Sequence, residues 1–323
     1  SHVLARTSSG APEPEGVRAD EPFVAIVVLN WNGWKDTLAC LECLRMQRYR
    51  RFAVVVVDNA SADESVQKIR EWFESPVTRG ENDQLSSLEV IRWDDPFERR
   101  TDSHVSREKS YLILNNKNHF FTKGNNIGIE FSMTGLDPDY VMLLNNDTLF
   151  KEDFVEEMVA RVSMDRAIGL ASPFVYWNDS PKKLQHGGER IRRIRFDRER
   201  LRDSDKSGPI VDSDTVSGAC MLVSRENIVC SGMLPCRYAF LTSDIAYSLE
   251  TKRNGFRVVC IRSASLWHKT SRSVNKAPDE LHRFRIEENL KLRHEYFGKV
   301  SFAYGIYMCI LFILPYTLVK TVA

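Results

Sequence analysis

The sequence predicts an α/β protein with a mostly parallel sheet covered by helices. Two continuous β-branched runs, "FVAIVVLN" and "FAVVVVD", are typical of strands that are buried on both faces. Segments with helical spacing follow each run, and this strand–helix alternation favours parallel pairing of the strands. Polar residues stand at the ends of several strands, where open α/β sheets bind their ligands.

The first half of the chain follows this alternation closely. The predicted elements are a strand at 23–30, a helix at 32–47, a strand at 52–58 and a helix at 61–73. Asp63 or Ser61 is the expected N-cap of the second helix, since either side chain can accept from the first free backbone N–H groups.

The rhythm changes after this helix. Residues 76–108 are polar except for "LEVIRW", which predicts a surface insertion with one short strand. Further strands are predicted at "YLILN", "YVMLLNND", "IGLASPFVYW", "TVSGACMLVS" and "FRVVCIRSASLWH", with helices at "KEDFVEEMVARV" and "DIAYSLETKRNG". The second half is therefore expected to be mixed rather than purely parallel.

The two ends differ from the middle. The predicted organisation is a flexible tail at 1–21, one domain at 22–275 and a helical segment at 276–323. The stretch at 300–319 contains no charged side chain and is long enough for a membrane helix. Gly305 and Pro315 weaken it as a straight helix, and a buried or interfacial helix is the alternative.

Composition narrows the classes of partner. A net charge of +1 gives no reason to expect nucleic acid, which needs a concentrated basic face. The basic run at 190–202 has acids interleaved and is interpreted as a solvated, mobile loop, with a contact to an anionic membrane or an acceptor as the alternative. Seven scattered cysteines form no disulfide framework, and the Cys40/Cys43 pair lacks the second half of a zinc site, so a reducing compartment is expected.

Strand ends carry most of the candidate chemistry. The polar residues there are Asn30 and Asn32, Asp58 and Asn59, the run Asn145 to Asp147, and His268. Because the ends of parallel strands share one edge, these groups are expected to converge on a single crevice. The "NND" run predicts either a tight turn or a metal-assisted site for a phosphorylated ligand, while Asp58 as a turn cap and His268 as a half-buried histidine are the structural alternatives.

Six motifs in register carry a family resemblance. "VVLNWNG", "VVVDNASAD", "NHFFTKGNNIG", "LLNNDT", "VSGACMLVS" and "NGFRVVCIRSASLWH" occur in this order between about Val24 and Thr270. The chain thereby resembles the family-two glycosyltransferases, inverting enzymes that use nucleotide-diphosphate sugars, and most of all their rhamnosyltransferase-like branch. The resemblance implies a GT-A-type, Rossmann-like sheet with flanking helices and a mixed second half.

The resemblance also implies roles for residues on the donor side. Asp58 matches the aspartate that bonds the base, Asp147 matches the final carboxylate of a DxD-type motif and binds Mg²⁺ or Mn²⁺, and His268 matches a metal or diphosphate contact. The other residues implied to bind the nucleotide sugar are Asn30, Asn32, Asn118, Gly124, Asn125, Asn126, Asn145 and Asn146. Lys269 and Arg272 are candidates for holding the diphosphate, with simple solvation as the alternative.

Asp244 is the implied catalytic base. It matches the aspartate of the family's "ED" pair, although its position at a helix start has a dipole explanation as well. Ser243 replaces the usual glutamate, Ala246 stands where a further acid is common, and Phe120 stands where the family favours glycine.

The expected function is transfer of a sugar from a UDP- or dTDP-linked donor to an acceptor hydroxyl. A lipid-linked or cell-surface glycan is the expected acceptor, reached at the cytoplasmic face of a membrane through the C-terminal segment. A non-catalytic relative that binds nucleotide sugar or glycan as a scaffold is the alternative. A nucleotidyltransferase fits less well, because the glycine-rich, lysine-bearing loop is missing after the first strand.

Overall fold

The computed structural model describes residues 21–75, 85, 87–93, 105–192, 195, 197–201, 208–239, 242–269 and 286–309. Three sets of predictions therefore lie wholly or partly outside the described residues: the tail at 1–21, much of the insertion at 76–108, and the far half of the candidate membrane helix at 300–319. Arg272 lies outside them as well.

The described strands form one large sheet and a small hairpin. The strands are β1 (Val24–Asn30), β2 (Phe52–Asp58), β3 (Leu88–Trp93), β4 (Ser110–Asn115), β5 (Tyr140–Asn145), β6 (Thr148–Phe150), β7 (Ile168–Trp177), β8 (Leu184–His186), β9 (Glu189–Arg192), β10 (Asp197–Arg200), β11 (Ile210–Asp212), β12 (Cys220–Ser224) and β13 (Arg257–His268). The large sheet has the order β11-β13-β7-β12-β5-β1-β2-β4-β3, with β6 on β13 and β8 on β7, while β9 and β10 pair with each other.

Helices cover both faces of the sheet. The helices are α1 (Trp34–Arg45), α2 (Ser65–Glu74), α3 (Phe120–Phe131), α4 (Phe154–Ser163), α5 (Arg225–Ser231), α6 (Ser243–Arg253) and α7 (Gly298–Met308). A π-helical turn, Ser132–Leu136, extends α3, and another, Arg293–Phe297, joins the helical residues 286–292 to α7.

The first half of the sheet is parallel, as the sequence predicts. β1 pairs in parallel with β2 and β5, and β4 pairs in parallel with β2 and β3. Alternate side chains of β1 enter two cores: Val24, Ile26 and Val28 join the core that holds α1, α2 and α4, whereas Ala25 and Val27 join the core that holds α3. The continuous apolar run thus reflects burial on both faces.

The second half is mixed, again as predicted. β12 runs antiparallel to both β5 and β7, and β13 runs parallel to β7. The pairing of β13 with β7 changes register between Ile261 and Ser265, so the last part of β13 is offset before it reaches His268. Such a bulge bends the strand and re-aims the side chains that follow it.

Two sequence expectations differ from the structure. The run at 190–202 is not simply a loop, because its ends form the antiparallel hairpin β9–β10, with the Ile191 side chain packed against α6. Helix α2 begins at Ser65, and Asp63 accepts from the Ser65 N–H at 2.9 Å without being the N-cap. In the first case the packing of Ile191 outweighs the charged composition of the segment. In the second case Asp63 makes a local turn ahead of the helix.

The C-terminal residues pack on the sheet domain as far as they are described. Leu292 is fully buried with Tyr238, Ile245 and Ala246. Arg237 Nε donates to both carboxylate oxygens of Glu295, at 2.9 and 3.0 Å. Within the part of the chain that the structure describes, no helix is both long enough and apolar enough to span a bilayer.

Candidate active site

The carboxyl ends of the parallel strands meet at one edge, as the sequence predicts. Asn30 ends β1, Asp58 ends β2 and Asn145 ends β5, and these three strands are neighbours. His268 ends β13 and pairs with Thr148, three residues beyond Asn145. The polar strand ends therefore lie along one side of the sheet.

Asn30 and Asp58 are bonded to each other. Asn30 Nδ2 donates to Asp58 Oδ2 at 2.7 Å, and Ser61 donates to the same carboxylate through its backbone N–H and its Oγ, at 2.9 and 2.7 Å. Ser61 Oγ also accepts from the backbone N–H of Asn32 at 2.9 Å. Both Asn30 and Asp58 are almost fully buried, so their interaction fixes the shape of the edge.

Asn59 forms a second centre of bonds at the same edge. Its Oδ1 accepts from Asn115 Nδ2 and from the His119 N–H, both at 3.0 Å. Its Nδ2 donates to Asn118 Oδ1 at 2.9 Å and to the Phe120 carbonyl at 3.0 Å. One buried amide thus holds the strand end of β4 and the start of α3, a role that the sequence analysis did not assign.

The "GNNIG" residues face protein rather than open space. A Cβ on Gly124 would lie 2.7 Å from Leu29 Cδ1, so this glycine lets α3 approach the sheet closely. Asn125 donates to the Phe121 carbonyl at 2.9 Å. Asn126 binds the backbone of Leu234, donating to its carbonyl at 2.8 Å and accepting from its N–H at 3.0 Å. Gly124, Asn125 and Asn126 therefore each make contacts within the protein.

The "NND" run presents three different environments. Asn146 Nδ2 donates to Thr37 Oγ1 at 2.9 Å, which links β5 to α1. The Asn145 backbone N–H donates to the Ala219 carbonyl at 3.0 Å, and its side chain makes no hydrogen bond with another described residue. Asp147 turns the other way, toward the end of β13.

Asp147 and His268 form a pair from distant parts of the chain. His268 Nε2 lies 3.1 Å from Asp147 Oδ1, and the two side chains are only 12% and 17% exposed. The other ring nitrogen, Nδ1, lies 3.2 Å from the amide oxygen of Gln185 in β8. Lys269 continues past this pair, and its Nζ donates to Asp36 Oδ1 at 2.7 Å in the first turn of α1.

The Asp147–His268 pair offers donor atoms that suit a divalent cation. The 3.1 Å between His268 Nε2 and Asp147 Oδ1 is the length of a direct hydrogen bond, so a cation bound by both side chains would take the place of that contact. Mg²⁺ and Mn²⁺ accept a carboxylate, and Mn²⁺ also accepts imidazole. No group of three or more metal-ligating side chains occurs among the described residues, so phosphate oxygens and water would have to complete the shell.

Asp244 lies in the first turn of α6 and is partly buried. Its Oδ2 accepts from the Gly218 N–H at 3.0 Å, and its Oδ1 accepts from the Ile245 N–H at 2.8 Å. Removal from water raises the pKa of this carboxyl above its ordinary value, and the guanidinium of Arg198 partly opposes that rise. A carboxylate with a raised pKa is a better proton acceptor.

A short run of backbone connects Asp244 to the strand edge. Its partner Gly218 precedes Ala219, whose carbonyl accepts from Asn145. A Cβ on Gly218 would lie 3.2 Å from Asp244 Oδ2, so a side chain there would crowd the carboxylate. Glycine at this position keeps the acid and the backbone in contact.

Phe120, Ser243 and Ala246 depart from the pattern of the family that the sequence resembles, and the structure shows the surroundings of each. Phe120 has a φ of 57°, a left-handed conformation in which glycine is unstrained, and its ring is 55% exposed. Ser243 and Ala246 are both buried, and Ser243 Oγ has no hydrogen-bond partner among the described residues. A charged glutamate in the Ser243 environment would be desolvated.

The structure brings most of the predicted residues to one edge. Asp58, Asn30 and Asn146 are linked through hydrogen bonds, Asp147 and His268 are paired, and Asp244 joins through Gly218. Sequence reasoning missed four residues of this network, namely Thr37, Asn59 in its bridging role, Ser61 and Gln185. Asn59 and Ser61 stand beside Asp58 in "DNAS", and that motif was the available signal.

Comparison with known proteins agrees with this layout. Residues 25–94, which contain Asn30, Asn32 and Asp58, match one family model. That family is Glycosyl transferase family 2. No curated protein matches the sequence.

Solved glycosyltransferase structures share the fold. GalNAc-T7 in complex with UDP, GalNAc and Mn²⁺ matches with a TM-score of 0.62 and 13% identity, over 84% of this chain and 48% of that one. The mannosyltransferase PcManGT from Pyrobaculum calidifontis, in complex with GDP-Man and Mn²⁺, matches with a TM-score of 0.55 and 14% identity, over 96% of this chain and 82% of that one. S. aureus TarS residues 1–349, in complex with UDP-GlcNAc, match with a TM-score of 0.54 and 11% identity, over 90% of this chain and 73% of that one.

These matches confirm the predicted fold class, a mostly parallel, mixed sheet of the GT-A type. This chain spans about half the length of GalNAc-T7, and identities of this size show a common fold. UDP, GalNAc, GDP-Man, UDP-GlcNAc and Mn²⁺ are the ligands of those three solved proteins.

Proposed function

We propose that this protein is a metal-dependent, inverting glycosyltransferase of the rhamnosyltransferase-like branch. It would move a sugar from a UDP- or dTDP-linked donor to an acceptor hydroxyl. The observation that carries the proposal is the Asp147–His268 pair at the strand edge, beside an interlocked amide network and close in the fold to a second, more basic carboxylate.

On the donor side, the chain supplies a largely preformed surface. Asp58 and Asn59 are each only 2% exposed, so they would act mainly by fixing, through internal bonds, the shape of the surface that meets the nucleotide. Asp147 and His268 would hold Mg²⁺ or Mn²⁺ against the diphosphate, and the bound cation would supply charge neutralisation for the departing nucleoside diphosphate. Asn145, whose amide makes no described hydrogen bond, would bond a sugar hydroxyl.

On the acceptor side, Asp244 would act as the general base. As the acceptor oxygen forms its bond to the anomeric carbon, Asp244 takes the hydroxyl proton, and the bond from that carbon to the diphosphate oxygen breaks. One displacement from the opposite face inverts the configuration. The raised pKa of Asp244 supports the assignment, because a weaker acid is a stronger base at the same pH.

Gln185 would orient His268. An amide oxygen only accepts, so the contact with Gln185 Oε1 requires the hydrogen on His268 Nδ1. With a cation bound between His268 and Asp147, the lone pair of a neutral His268 would be on Nε2, the nitrogen that faces Asp147. Partners of this kind fix the tautomer of metal-binding histidines.

A lipid-linked or cell-surface glycan is the acceptor that we propose, with catalysis at the cytoplasmic face of a membrane. The apolar stretch at 300–319 and the cysteines, which are free where described, support this placement.

Donor binding and hydrolysis test the proposal directly. Thermal unfolding is measured with UDP-, dTDP- and GDP-sugars, each with and without Mn²⁺, since a ligand that binds only the native state stabilises it. We expect a Mn²⁺-dependent increase in Tm with a uridine or thymidine donor and slow release of nucleoside diphosphate. Asp147→Asn should abolish the metal dependence, and the matched control Asp212→Asn, an exposed carboxylate paired with Arg257, should retain it. Donor binding without any hydrolysis or transfer would instead identify the scaffold alternative.

A further inference from the structure

Phe120, the first residue of α3, is held in a conformation that is unfavourable for a bulky side chain. Its φ of 57° lies in the left-handed region, where glycine is unstrained. The residue is also 55% exposed, so burial of the ring does not offset that cost. Strained residues of this kind persist where the surrounding structure fixes them, and they cluster at ligand sites. The conformation of Phe120 therefore requires an explanation outside the apolar core.

Two asparagine side chains hold both backbone polar groups of Phe120. Asn118 Oδ1 accepts from the Phe120 N–H at 2.8 Å, and Asn59 Nδ2 donates to the Phe120 carbonyl at 3.0 Å. Asn59 directly follows Asp58, the last residue of β2, and is itself buried. The backbone of Phe120 is thereby fixed next to the end of β2, in the part of the strand edge that the proposed function assigns to the nucleotide.

Anchoring of α3 does not account for an exposed ring at position 120. The next residue, Phe121, packs against the core that holds α3. The Thr122 N–H donates to the Ala239 carbonyl at 3.2 Å and ties the first turn of the helix to a distant segment. Glycine at position 120, which the family that the sequence resembles favours, would leave these contacts in place.

A second exposed aromatic residue stands on the other side of Asp58. Trp31 directly follows β1 and is 39% exposed. Because β2 lies between β1 and β4 in the sheet, and Phe120 follows β4, the two aromatic residues flank the end of β2. Aromatic residues on both sides of a polar strand end suit a ligand that is itself flat and has polar edges. A nucleobase has this form, with a π face for stacking.

We propose that the Phe120 ring stacks on the base of the donor nucleotide and forms one wall of the base site. This inference rests on the proposed function and adds a donor-binding residue that the family pattern, with glycine at this position, does not supply. An aromatic ring against the face of a base strengthens binding by about fivefold or more, and it does so for any base. The strained backbone of Phe120 places the ring against that face.

Calorimetric titration of four proteins tests the stacking. UDP, dTDP and inorganic pyrophosphate, each with Mn²⁺, are titrated into the wild type, Phe120→Gly, Phe120→Leu and Phe120→Tyr. Glycine removes the ring, leucine keeps an apolar side chain without a flat face, and tyrosine keeps the ring. We expect a nucleotide that binds the wild type to bind the glycine and leucine variants at least about fivefold more weakly, and the tyrosine variant within about twofold. Pyrophosphate has no base, so its affinity should be the same in all four proteins.

Tyr307→Leu is the matched control, because Tyr307 is an aromatic residue of α7 with nearly the same exposure, 56%. Its affinity for nucleotide should equal that of the wild type. Stability separates the role of the ring from an effect on the fold. Phe120→Gly relieves the positive φ, so its free energy of unfolding should not fall although its nucleotide affinity does.

Three results would contradict the stacking. Nucleotide affinity at or above the wild-type value in Phe120→Gly would show that the ring is idle or obstructs the site. Wild-type affinity in Phe120→Leu would show that a flat face is not needed, and an equal loss of pyrophosphate affinity would show that the base is not involved. Binding of neither UDP nor dTDP by the wild type would defeat the proposed function, whereas nucleotide binding that does not depend on Phe120 would defeat only the stacking.

Discussion

The proposed donor side and the proposed acceptor side of the site are built in different ways. On the donor side, buried amides and a carboxylate bond one another, as in the 2.7 Å contact between Asn30 and Asp58 and the four bonds of Asn59. On the acceptor side, Asp244 accepts from two backbone N–H groups, and Arg198 remains 3.6 Å from its nearest described carboxylate. The first region is held by bonds between its own side chains before any ligand arrives, whereas the Asp244 carboxylate in the second region is held by backbone N–H groups.

Because of this difference, mutations in the two regions should have different consequences. Buried polar networks are costly to break, because each group that loses its partner stays desolvated. Donor-side substitutions should therefore reduce stability, and acceptor-side substitutions should reduce activity while the fold is retained.

Asp244→Asn should have the largest effect. Loss of a general base lowers turnover by about 10²- to 10⁴-fold. The amide has almost the same size but accepts through one oxygen only, so the Gly218 or the Ile245 N–H loses its acceptor. The free energy of unfolding should therefore fall by about 1–3 kcal/mol, while the increase in Tm with UDP should be retained. Steady-state transfer measurements check this, with Asp212→Asn as the control, and turnover above a tenth of the wild-type value would remove Asp244 as the base.

Asn59→Ala should affect stability instead. Four side-chain bonds disappear and buried partners remain, so we expect the free energy of unfolding to fall by about 2–3 kcal/mol. Asn145→Ala is the matched control at a neighbouring strand end and should change it by less than about 0.5 kcal/mol. Urea titrations measure both, and similar losses in the two variants would contradict the contrast between them.

Gln185→Leu should weaken metal binding. Without the amide oxygen, His268 loses the partner of Nδ1, and affinity for Mn²⁺ should fall by about 10- to 100-fold. Gln185→Glu keeps an acceptor and should retain binding. Electron paramagnetic resonance of free Mn²⁺ gives the dissociation constant without any activity assay, and unchanged affinity in the leucine variant would exclude the orienting role.

Phe120→Gly should increase stability slightly. Residue 120 has a positive φ, and glycine removes about 1 kcal/mol of backbone strain while little packing is lost from a ring that is 55% exposed. Phe120→Ala keeps a Cβ and should give no such gain. Tm distinguishes the two variants, and a gain in both would point to the ring rather than the backbone.

Arg198→Gln should shift the pH dependence. Desolvation raises the pKa of Asp244, and Arg198 opposes that rise, so removal of the guanidinium should raise the pKa further. Because the base acts in its ionised form, activity is lost as pH falls through this pKa. The acid limb of kcat/KM against pH should therefore move to higher pH in the variant, with R190Q as the control.

The pattern of apolar residues along the chain was sufficient to predict elements that depend on neighbouring residues in the sequence. Two uninterrupted β-branched runs determined the parallel strands β1 and β2, and the positions of Asn30 and Asp58 followed from where those runs end. Pattern failed at the arginine-rich segment, because the alternating Glu189 and Ile191 that dock the hairpin are masked by the surrounding charge. It failed at Gln185 too, which belongs to a three-residue strand too short to show a period.

The sequence by itself determined the fold class and the order of polar strand ends, because burial on both sides of a parallel sheet requires continuous apolar runs. Only the tertiary structure decided which of those polar residues bond one another. Gln185, Asp147 and His268 are brought together by the pairing of β7 with β8 and β13 and of β6 with β13, and the hairpin that carries Arg198 packs through Ile191 in the same apolar cluster as Ile245 of α6. Contacts between residues this far apart in the chain depend on packing, which no local periodicity encodes.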